Sequence, residues 1–502
     1  MMTKIMIKHK ILFLLLLGLF FLVACSHQEP IRIRVTPTPD ATLVAQAQVP
    51  TVDLSTEIEP SPTETEIIPT NTSIATMTDI VETETDIPAT DTSVPATATA
   101  IATDGTFGPI IAPDYTPPPT STPAPTQVPT LIPSPTSIPI TPITTPSNGL
   151  PVLDREQLGI QLYYNVNADQ WFQLLRRTDP LQVGWIKVQA NWEFLQPDHR
   201  DQFDTAFSIF EAHVQRAHND GYKVLVSIAK APDWARGTFI EEDGPPANTQ
   251  DLAYFINFMF DRMGNEISAI EVWNEPNLSR EWVGGLHWSG AGYMDLFRVA
   301  YDTIRAQNPN MPIVTAGLAP TRAEGAIDDR LFLQQMYDAG LADPYYQNIA
   351  IGIHPYGWGN PPDSSCCDAI EGRGWDDDPR FFFLDTIEDY RDIMVLNGHE
   401  NVSMWTTEFG WSSWSGIPTE APELWMTYTV PEQQAEYTLR AFEIGQERNY
   451  MGPMFLWNLN FANEDLIAES NEMVGYSLII PNLPLRPLYN DLRDSQRLEP
   501  QQ

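Results

Sequence analysis

The 502-residue chain is poor in cysteine and in basic residues. It contains 3 Cys, and its 28 Lys plus Arg face 66 Asp plus Glu, which gives a formal net charge of −38. Three cysteines are too few for a disulfide framework. The acidic charge argues against nucleic acid as a partner and against electrostatic docking on anionic lipid. No Cys or His residues have the spacing of metal ligands, so we predict no metal site. We also predict no organic cofactor.

The first third of the chain lacks the residues that build a packed core. No Trp precedes Trp171, and no Lys or Arg lies between Arg34 and Arg155. This interval is rich in Thr, Pro, Ser and Ala and has no apolar periodicity. Such a segment buries too little apolar surface to offset its ordering entropy. We therefore predict a disordered Thr/Pro-rich linker, or stalk, over residues 25–150 and one large domain over 151–502. A recruitment segment with its own ligand is the alternative for the linker.

The N-terminus has the pattern of an export signal. Basic residues precede an apolar run over residues 11–24, which is shorter than the ~20 residues of a spanning helix. The run ends at Leu22-Val23-Ala24-Cys25, which resembles the lipobox of bacterial lipoproteins. The resemblance implies a signal peptide over residues 1–24 and a lipidated Cys25. Acyl chains alone would then hold the protein on the extracellular face of a bacterial cell membrane. An uncleaved signal anchor and an ordinary secretory signal are the alternatives.

The remaining chain alternates short apolar runs with amphipathic helical stretches. Eight candidate strands lie at residues 160–164, 185–189, 223–228, 267–273, 312–316, 349–354, 402–407 and 454–458. Helical spacing recurs between them, at 202–218, 252–263, 293–307, 331–338, 383–396 and 431–446. This alternation predicts an α/β fold with a parallel sheet, and eight repeats predict a closed (β/α)8 TIM barrel. An open doubly wound sheet is the alternative, although no Gly-rich loop follows the first strand.

Two glutamates lie where predicted strands four and seven end. Glu275 and Glu408 each follow an apolar run and each lie near Trp. Enzymes with this fold carry their chemistry at the C-terminal ends of the strands. Two carboxylates are the minimum for cleaving a glycosidic bond, because one protonates the leaving oxygen while the other attacks the anomeric carbon or activates water. Pro276 disfavours helical dihedrals at the preceding residue, so we expect strand four to stay extended up to Glu275.

Three motifs carry a resemblance to a known group of enzymes. Trp273-Asn274-Glu275-Pro276-Asn277, His354-Pro355-Tyr356 and the Trp-Thr-Thr-Glu-Phe-Gly-Trp segment at 405–411 resemble clan A glycoside hydrolases. The cellulase-like family five and the xylosidase-like family thirty-nine are the most similar, and the resemblance covers about residues 159–491. It implies a TIM barrel in which Glu275 is the acid/base and Glu408 is the nucleophile of a retaining mechanism.

The same resemblance implies roles for further residues. Asn274 would bind the sugar 2-hydroxyl, His354 and Tyr356 would hold the nucleophile and contact the sugar, and Trp457 would form the floor of the subsite at the cleavage point. Lys187 departs from the pattern, because arginine is common near the end of strand two in this clan. The contact that this arginine makes near the nucleophile is therefore in doubt.

Aromatic residues in the predicted rim segments suit sugar binding, because the C–H groups of a pyranose face pack on a π surface. We predict sugar contacts for Trp192 and Trp234, with packing under the loops as the alternative. The same two interpretations apply to Trp282, Trp288, Trp358, Trp411 and Trp414.

These observations together predict a retaining glycoside hydrolase, a β-glycosidase or endo-β-glycanase, that acts on β-linked poly- or oligosaccharides. A transglycosylase is one alternative, because sugar instead of water can intercept the same covalent intermediate. A surface glycan-binding lipoprotein on a catalytically retired barrel is the other. Adjacent Cys366 and Cys367 are compatible with a vicinal disulfide in an oxidising exterior or with two free thiols.

Overall fold

The computed structural model describes residues 149–237, 242–367 and 377–498. The predicted signal peptide, Cys25 and nearly all of the predicted linker lie outside these residues. In the described part of the chain, no helix is both long and apolar enough to cross a membrane.

Eight parallel strands form a closed barrel in chain order. They are β1 (Leu158–Gln161), β2 (Trp185–Asn191), β3 (Lys223–Ala229), β4 (Ala269–Val272), β5 (Ile313–Thr315), β6 (Ile349–Ile353), β7 (Ser403–Phe409) and β8 (Met451–Leu456). The predicted (β/α)8 barrel is therefore confirmed. The bounds of the strands differ from the predicted ones by a few residues, and β1 begins and ends earlier than expected.

A helix follows each strand and packs its apolar face outside the barrel. The eight helices are α1 (Ala168–Thr178), α2 (Thr205–Asn219), α3 (Thr249–Met263), α4 (Gly290–Gln307), α5 (Asp329–Asp338), α6 (Phe383–Leu396), α7 (Pro431–Gln446) and α8 (Pro487–Asp494). Side chains at helical spacing are buried, as Phe207, Phe210 and Val214 are in α2. The predicted bounds of α6 and α7 agree with the structure, whereas α1 and α8 were not among the predicted helices.

Apolar side chains close the lower part of the barrel interior. This layer consists of Trp185, Leu225, Ala269, Val314, Ala350, Trp405 and Phe455. The Trp185 and Trp405 rings meet edge to face at 5.2 Å. On β1 the position beside Trp185 is Gly159, where a Cβ atom would lie 2.5 Å from Phe455 Cδ1. The ring of Phe455 therefore fills the place where a β1 side chain would lie.

The next inward positions along the strands are polar. Lys187, Ser227 and Glu271 are fully buried on β2, β3 and β4, each two residues after a member of the apolar layer, as the period of a strand requires. Burying charged groups is costly unless they are paired, so their presence above an apolar floor indicates a functional layer.

The loops after β6, β7 and β8 build a second apolar cluster, here called the rim cluster. Its aromatic members are Tyr356, Trp358, Phe381, Phe382, Trp414, Trp425, Trp457, Phe461 and Tyr476. The rim cluster therefore supports one side of the barrel mouth.

At the opposite end of the barrel a short parallel pair, Val152–Leu153 with Gln496–Arg497, joins the beginning and end of the domain.

Candidate active site

Glu275 lies in a tight turn beyond the end of β4. The strand ends at Val272, and Trp273 and Glu275 have φ values of 78° and 43°. The expectation that the strand stays extended to Glu275 is therefore wrong. The amide of Glu275 donates to Gly317 O at 3.0 Å and its carbonyl accepts from the amide of Leu278 at 3.0 Å. These contacts hold a left-handed backbone that L-residues rarely adopt and that occurs mainly where function requires it.

Helix α4 and an asparagine support this turn. The Tyr293 hydroxyl of α4 donates to Val272 O at 2.9 Å and accepts from the Ala316 amide at 2.7 Å, so it ties together the ends of β4 and β5. Asn277 is fully buried and donates to Ala319 O at 2.9 Å while its Oδ1 accepts from the Ala319 amide at 3.0 Å. The sequence motif contained Asn277, but its role in joining two loops was not recognised.

Glu408 points into the barrel because β7 changes register near its end. Strict alternation from inward-facing Trp405 would turn Glu408 outward. The pairing of β7 with β8 shifts between Thr406 and Phe409, and a shift of one residue exchanges the two faces of a strand. Phe409 accordingly packs against Phe442 of α7, with ring centroids 5.0 Å apart. Glu408 is fully buried and faces the site.

Lys187 lies between two buried carboxylates. Its Nζ is 3.0 Å from Glu408 Oε1, 2.9 Å from Glu271 Oε2 and 3.1 Å from Thr407 O. Burial opposes the charge on Lys187, but the charges of Glu271 and Glu408 outweigh it and raise the Lys187 pKa. A cation therefore contacts the nucleophile candidate, but it is a lysine where the clan commonly has an arginine.

Glu271 completes this ion-pair cluster. Its Oε1 accepts from the Gly317 amide at 3.2 Å. Burial favours the neutral acid, yet Lys187 and His354 together with hydrogen bonds lower the Glu271 pKa. No functional role was predicted for Glu271. A charged residue between apolar Ile270 and Val272 in a barrel strand is the sequence signal that would have found it.

Tyr356 contacts the nucleophile candidate, as the resemblance to clan A glycoside hydrolases implied. Its hydroxyl donates to Glu408 Oε2 at 3.1 Å. Burial and the nearby Glu408 carboxylate raise the Tyr356 pKa well above its ordinary value. The phenol therefore stays protonated and remains a donor to Glu408.

His354 contacts the other carboxylate. Its Nδ1 lies 3.0 Å from Glu275 Oε1, whereas the sequence comparison associated it with the nucleophile. The other ring nitrogen, Nε2, has no hydrogen-bond partner among the described residues and faces Gly317, where a Cβ atom would lie 2.2 Å from it. The Arg280 guanidinium approaches Glu275 Oε2 at 3.8 Å. Glu275 thus has a ring nitrogen on one oxygen and a cation near the other.

Asn274 is buried beside Glu275 with an unsatisfied oxygen. The residue is 3% exposed, and its Oδ1 has no hydrogen-bond partner in the described parts of the chain. Buried polar atoms are nearly always bonded, so such an atom in a native site calls for an explanation. A hydroxyl of a bound ligand would supply the missing donor.

Trp457 lies at the end of β8 next to the nucleophile side of the site. Its amide donates to Phe409 O at 2.9 Å, and its ring packs on Tyr356 and Tyr476 with centroids 6.3 and 4.9 Å away. The peptide between Trp457 and Asn458 is cis. The ring belongs to the rim cluster and is 1% exposed. It packs on Tyr356, and Tyr356 in turn donates to Glu408.

Trp192 and Trp234 lie on the other side of the barrel mouth, after β2 and β3. Trp192 is 0% exposed, stacks on Phe255 at 5.1 Å and donates from Nε1 to Gln196 Oε1 at 2.7 Å. Trp234 is half-buried and donates to Gln196 O at 2.8 Å. The sugar contacts of Trp192 and Trp234 both stay predictions.

Most of the other rim tryptophans are buried too. The four that are at most 5% exposed are Trp282, Trp358, Trp411 and Trp414, whereas Trp288 is half-buried.

In the loop after β6 the structure joins Cys366 and Cys367 in a disulfide. Within the described ranges no cluster of three or more His, Cys, Asp or Glu side chains is arranged to hold a metal ion.

The arrangement thus brings together two fully buried glutamates with different partners. Glu408 has a lysine and a phenol as donors, and Glu275 has a histidine nitrogen and a more distant arginine. Donors that favour the charged form suit a nucleophile, and a carboxyl with an ionisable neighbour suits proton transfer.

One family model matches most of the barrel domain. The family model for cellulase (glycosyl hydrolase family 5) matches residues 161–460. No curated protein matches the chain.

Similar solved structures include a family 39 glycoside hydrolase, a beta-xylosidase and the protein Cel5A. A family 39 glycoside hydrolase from Bacteroides cellulosilyticus is 19% identical with a TM-score of 0.49, over 68% of this chain and 64% of that one, slightly less than two thirds of its length. A monomeric beta-xylosidase from Caulobacter crescentus is 16% identical with a TM-score of 0.47, over 68% of each chain. Cel5A from Thermotoga maritima, solved with mannotriose, is 12% identical with a TM-score of 0.44, over 68% of this chain and 98% of that one.

Proposed function

Because this chain belongs to glycosyl hydrolase family 5 and is a glycoside hydrolase, we propose that it cleaves β-linked poly- or oligosaccharides by double displacement with retention of configuration. Glu408 is the nucleophile and Glu275 is the acid/base. The single observation that carries this proposal is the pairing of Glu408 with two donors, Lys187 Nζ at 3.0 Å and the Tyr356 hydroxyl at 3.1 Å. Both donors favour a charged carboxylate, which is the form that attacks.

In the first step Glu275 donates its proton to the glycosidic oxygen while a Glu408 oxygen forms a bond to the anomeric carbon. The bond between that carbon and the leaving oxygen breaks, and the leaving sugar departs as an alcohol. In the second step Glu275, now a carboxylate, removes a proton from water. The water oxygen bonds to the anomeric carbon, the ester to Glu408 breaks, and both glutamates return to their starting states.

The other residues bind and orient in this scheme. Asn274 offers its unsatisfied Oδ1 to the sugar 2-hydroxyl, and Trp457 provides an apolar face below the ring. His354 positions Glu275 through the 3.0 Å contact at Oε1. For attack and protonation to occur on opposite sides of one bond, the two carboxyl groups of a retaining pair lie ~5–5.5 Å apart.

The test is covalent trapping together with product stereochemistry. Wild-type protein, Glu408→Gln and Asp329→Asn are incubated with β-glycans and aryl β-glycosides, and a 2-deoxy-2-fluoro glycoside serves as the trap. Asp329 is a fully buried carboxylate outside the site and controls for general damage to the fold. We expect the β-anomer as the first product by NMR, a label on Glu408 by peptide mass spectrometry, and loss of release by several orders of magnitude in Glu408→Gln alone.

Other results would identify the alternatives. Inversion of configuration would refute the retaining mechanism. Products longer than the substrate, with little free reducing sugar, would indicate a transglycosylase. Glycan binding without release in any protein would indicate a catalytically retired barrel.

We further propose that the protein is exported and held on the extracellular face of a bacterial membrane by lipid on Cys25. The support is the basic residues followed by the apolar run that ends at this cysteine. Cys25→Ser should abolish incorporation of labelled fatty acid and release the activity from the membrane fraction. Membrane-bound activity in that variant would contradict the lipid anchor.

A further inference from the structure

A small cavity lies at the barrel mouth between the ends of β1 and β2, with a volume of about 40 Å³. Its polar walls include Gln161, Gln189 and Asn191, and its aromatic walls include Tyr163 and Phe461. The mechanism proposed above uses none of these five residues.

One wall of the cavity lies beside Lys187, the cation that contacts Glu408. Gln161, the last residue of β1, is the register partner of Lys187 on β2. Side chains of register partners in parallel strands lie on the same face, and Lys187 points inward to Glu408 at 3.0 Å. Gln161 therefore faces the interior next to Lys187. Gln189 is two residues further along β2 and lies on the same inner face, closer to the mouth.

One residue that lines the cavity carries an unsatisfied oxygen. Gln161 is 1% exposed, and its Oε1 has no hydrogen-bond partner among the described residues. A buried hydrogen-bond acceptor without a donor costs free energy. The presence of such an acceptor here therefore indicates that a bound ligand provides the donor. An O–H group of a ligand in the cavity is such a donor.

The walls of the cavity are electrically neutral. None of the residues that line it carries a charged side chain. Burial raises the pKa of Tyr163 in spite of a hydrogen bond to Asn165, so its phenol is a neutral donor. Amides and phenols bind neutral hydroxyls. A carboxylate or sulfate group would face an acceptor at Gln161, and the neighbouring Lys187 is already paired with Glu271 and Glu408.

The size of the cavity selects a small group. A water needs roughly 10–15 Å³ by the same measure, so about 40 Å³ holds about three water-sized groups. An exocyclic CH₂OH group has two non-hydrogen atoms and fits this space. A second pyranose ring does not.

The position of the cavity relative to Asn274 gives the orientation of the sugar. The barrel closes in the order β1 to β8, so the β4 end, where Asn274 lies, is across the mouth from β8 and β1. With the 2-hydroxyl on Asn274, carbon 5 of a pyranose faces the opposite side, because carbons 2 and 5 lie across the ring from each other. Phe461, a wall of the cavity, packs edge to face on Trp457 at 5.7 Å. The floor of the sugar site and the cavity therefore share one aromatic wall.

We propose that this cavity binds the hydroxymethyl group on carbon 5 of the sugar at the cleavage point. Gln161 accepts the hydrogen bond from that hydroxyl, and the enzyme selects neutral β-hexopyranosides over the corresponding β-pentopyranosides. This inference rests on the function proposed above and adds the substrate class that the same site prefers.

The test compares aryl glycosides that differ only in the hydroxymethyl group. The matched pairs are β-D-glucoside with β-D-xyloside and β-D-galactoside with α-L-arabinopyranoside, measured with the full-length chain as kcat/KM. β-Linked hexose and pentose polysaccharides are assayed alongside. We expect the wild type to prefer the hexose member by about tenfold or more, because a site built to bond a hydroxyl discriminates against an analogue that lacks it.

Variants locate the discrimination. Gln161→Leu keeps the volume of the side chain and removes the acceptor, so the hexose-to-pentose ratio should fall about tenfold through loss of hexoside activity, with pentoside activity retained. Gln157→Leu, at the half-buried beginning of the same chain segment on the opposite end of the barrel, should leave the ratio unchanged. The melting temperature of each variant is measured in parallel.

The outcomes separate this inference from the function on which it rests. Glu408-dependent activity that is equal on both members of a pair, or greater on the pentose member, overturns the assignment of the cavity and leaves the hydrolase intact. The wild-type ratio decides this even if Gln161→Leu does not fold. Absence of any Glu408-dependent release, from aryl glycosides and polysaccharides alike, overturns the proposed function itself.

Discussion

Replacing Lys187 by methionine tests whether one buried cation supports both the fold and the nucleophile. Methionine has a similar length and no charge. The substitution leaves Glu271 and Glu408 facing each other across a site where all three side chains are 0–1% exposed. Removing one partner of a buried ion pair typically costs about 3–5 kcal/mol, because it leaves an uncompensated buried charge. We expect Lys187→Met to lower the free energy of unfolding by this amount at pH 7.

The loss should depend on pH in a defined direction. In the wild type the Glu271 pKa is lowered below its ordinary value of 4.5, although burial alone would raise it. A lowered pKa stabilises the folded state above about pH 4.5, and this contribution disappears as the pH falls through the folded pKa. Without Lys187, burial raises the Glu271 pKa, so the variant is penalised at neutral pH and relieved in acid. The difference between wild type and variant should therefore be largest near pH 7. It should shrink as the pH falls through the raised Glu271 pKa of the variant, above about 4.5, towards the lowered pKa of the wild type.

The measurement is urea denaturation followed by tryptophan fluorescence at pH 7 and pH 4. All 14 Trp lie at or after position 171, so the signal reports on the barrel and not on the N-terminal part of the chain. Lys230→Met is the matched control, because Lys230 is 2% exposed and forms a buried ion pair with Asp243. It should lose stability as well but keep its activity. Lys187→Met should in addition lose about tenfold to hundredfold in kcat/KM, since it removes a charged hydrogen bond to Glu408. A loss of stability under about 1 kcal/mol at pH 7, or one that is the same at pH 4, would refute the reasoning.

Three further substitutions test the partners of the two glutamates. Tyr356→Phe removes the donor 3.1 Å from Glu408 Oε2 and should lower kcat/KM about tenfold to hundredfold, measured by steady-state kinetics; an unchanged value would contradict that role. His354→Gln disturbs the contact to Glu275 Oε1, so the loss of activity should be large for substrates with poor leaving groups and small for dinitrophenyl glycosides, which need no proton; an equal loss across a leaving-group series would argue against it. Gly317→Ala places a Cβ atom 2.2 Å from the His354 ring, so it should produce the same leaving-group pattern together with about 1–3 kcal/mol of destabilisation in a denaturation curve; wild-type kinetics would show that the ring has room to move.

The barrel could be predicted from the sequence because its strands are covered on both faces. Parallel strands of this kind appear as continuous apolar runs, and the runs ended within a few residues of the observed strands. Helix α1 was harder to predict, since only Trp171, Leu175 and Thr178 are buried in its 11 residues. A short helix with three buried positions gives a weak periodic signal.

The two glutamates were identifiable from their motifs, but their orientations were not. Simple alternation along β7 would direct Glu408 away from the site, and only the register shift against β8 turns it inward. Glu275 is a similar case, because a hydrogen bond to Gly317 O, in the loop after β5, holds its left-handed backbone. Both features arise from contacts between segments that are distant in sequence, which a local pattern does not contain.

Aromatic residues at the mouth show the same limit in another form. Trp192 and Trp457 both follow the ends of barrel strands, and both were predicted to contact sugar. In the structure Trp192 stacks on Phe255 of α3, whereas Trp457 packs beside Tyr356, which donates to Glu408. The role of each tryptophan depends on the side chain that its ring packs against. Tertiary packing sets that neighbour, and the local sequence does not.

Lys187 is the position where this chain departs from the pattern of its clan, and its contacts explain why lysine is suitable there. An ammonium group has three N–H donors. In this fully buried site three acceptors surround it, namely Glu271 Oε2, Glu408 Oε1 and Thr407 O, at 2.9, 3.0 and 3.1 Å. An arginine would bring a planar group with five donors into the same closed space, which offers these three acceptors and little room. The second carboxylate, Glu271, thus makes a compact point charge sufficient to hold the nucleophile, and the two residues act as one unit.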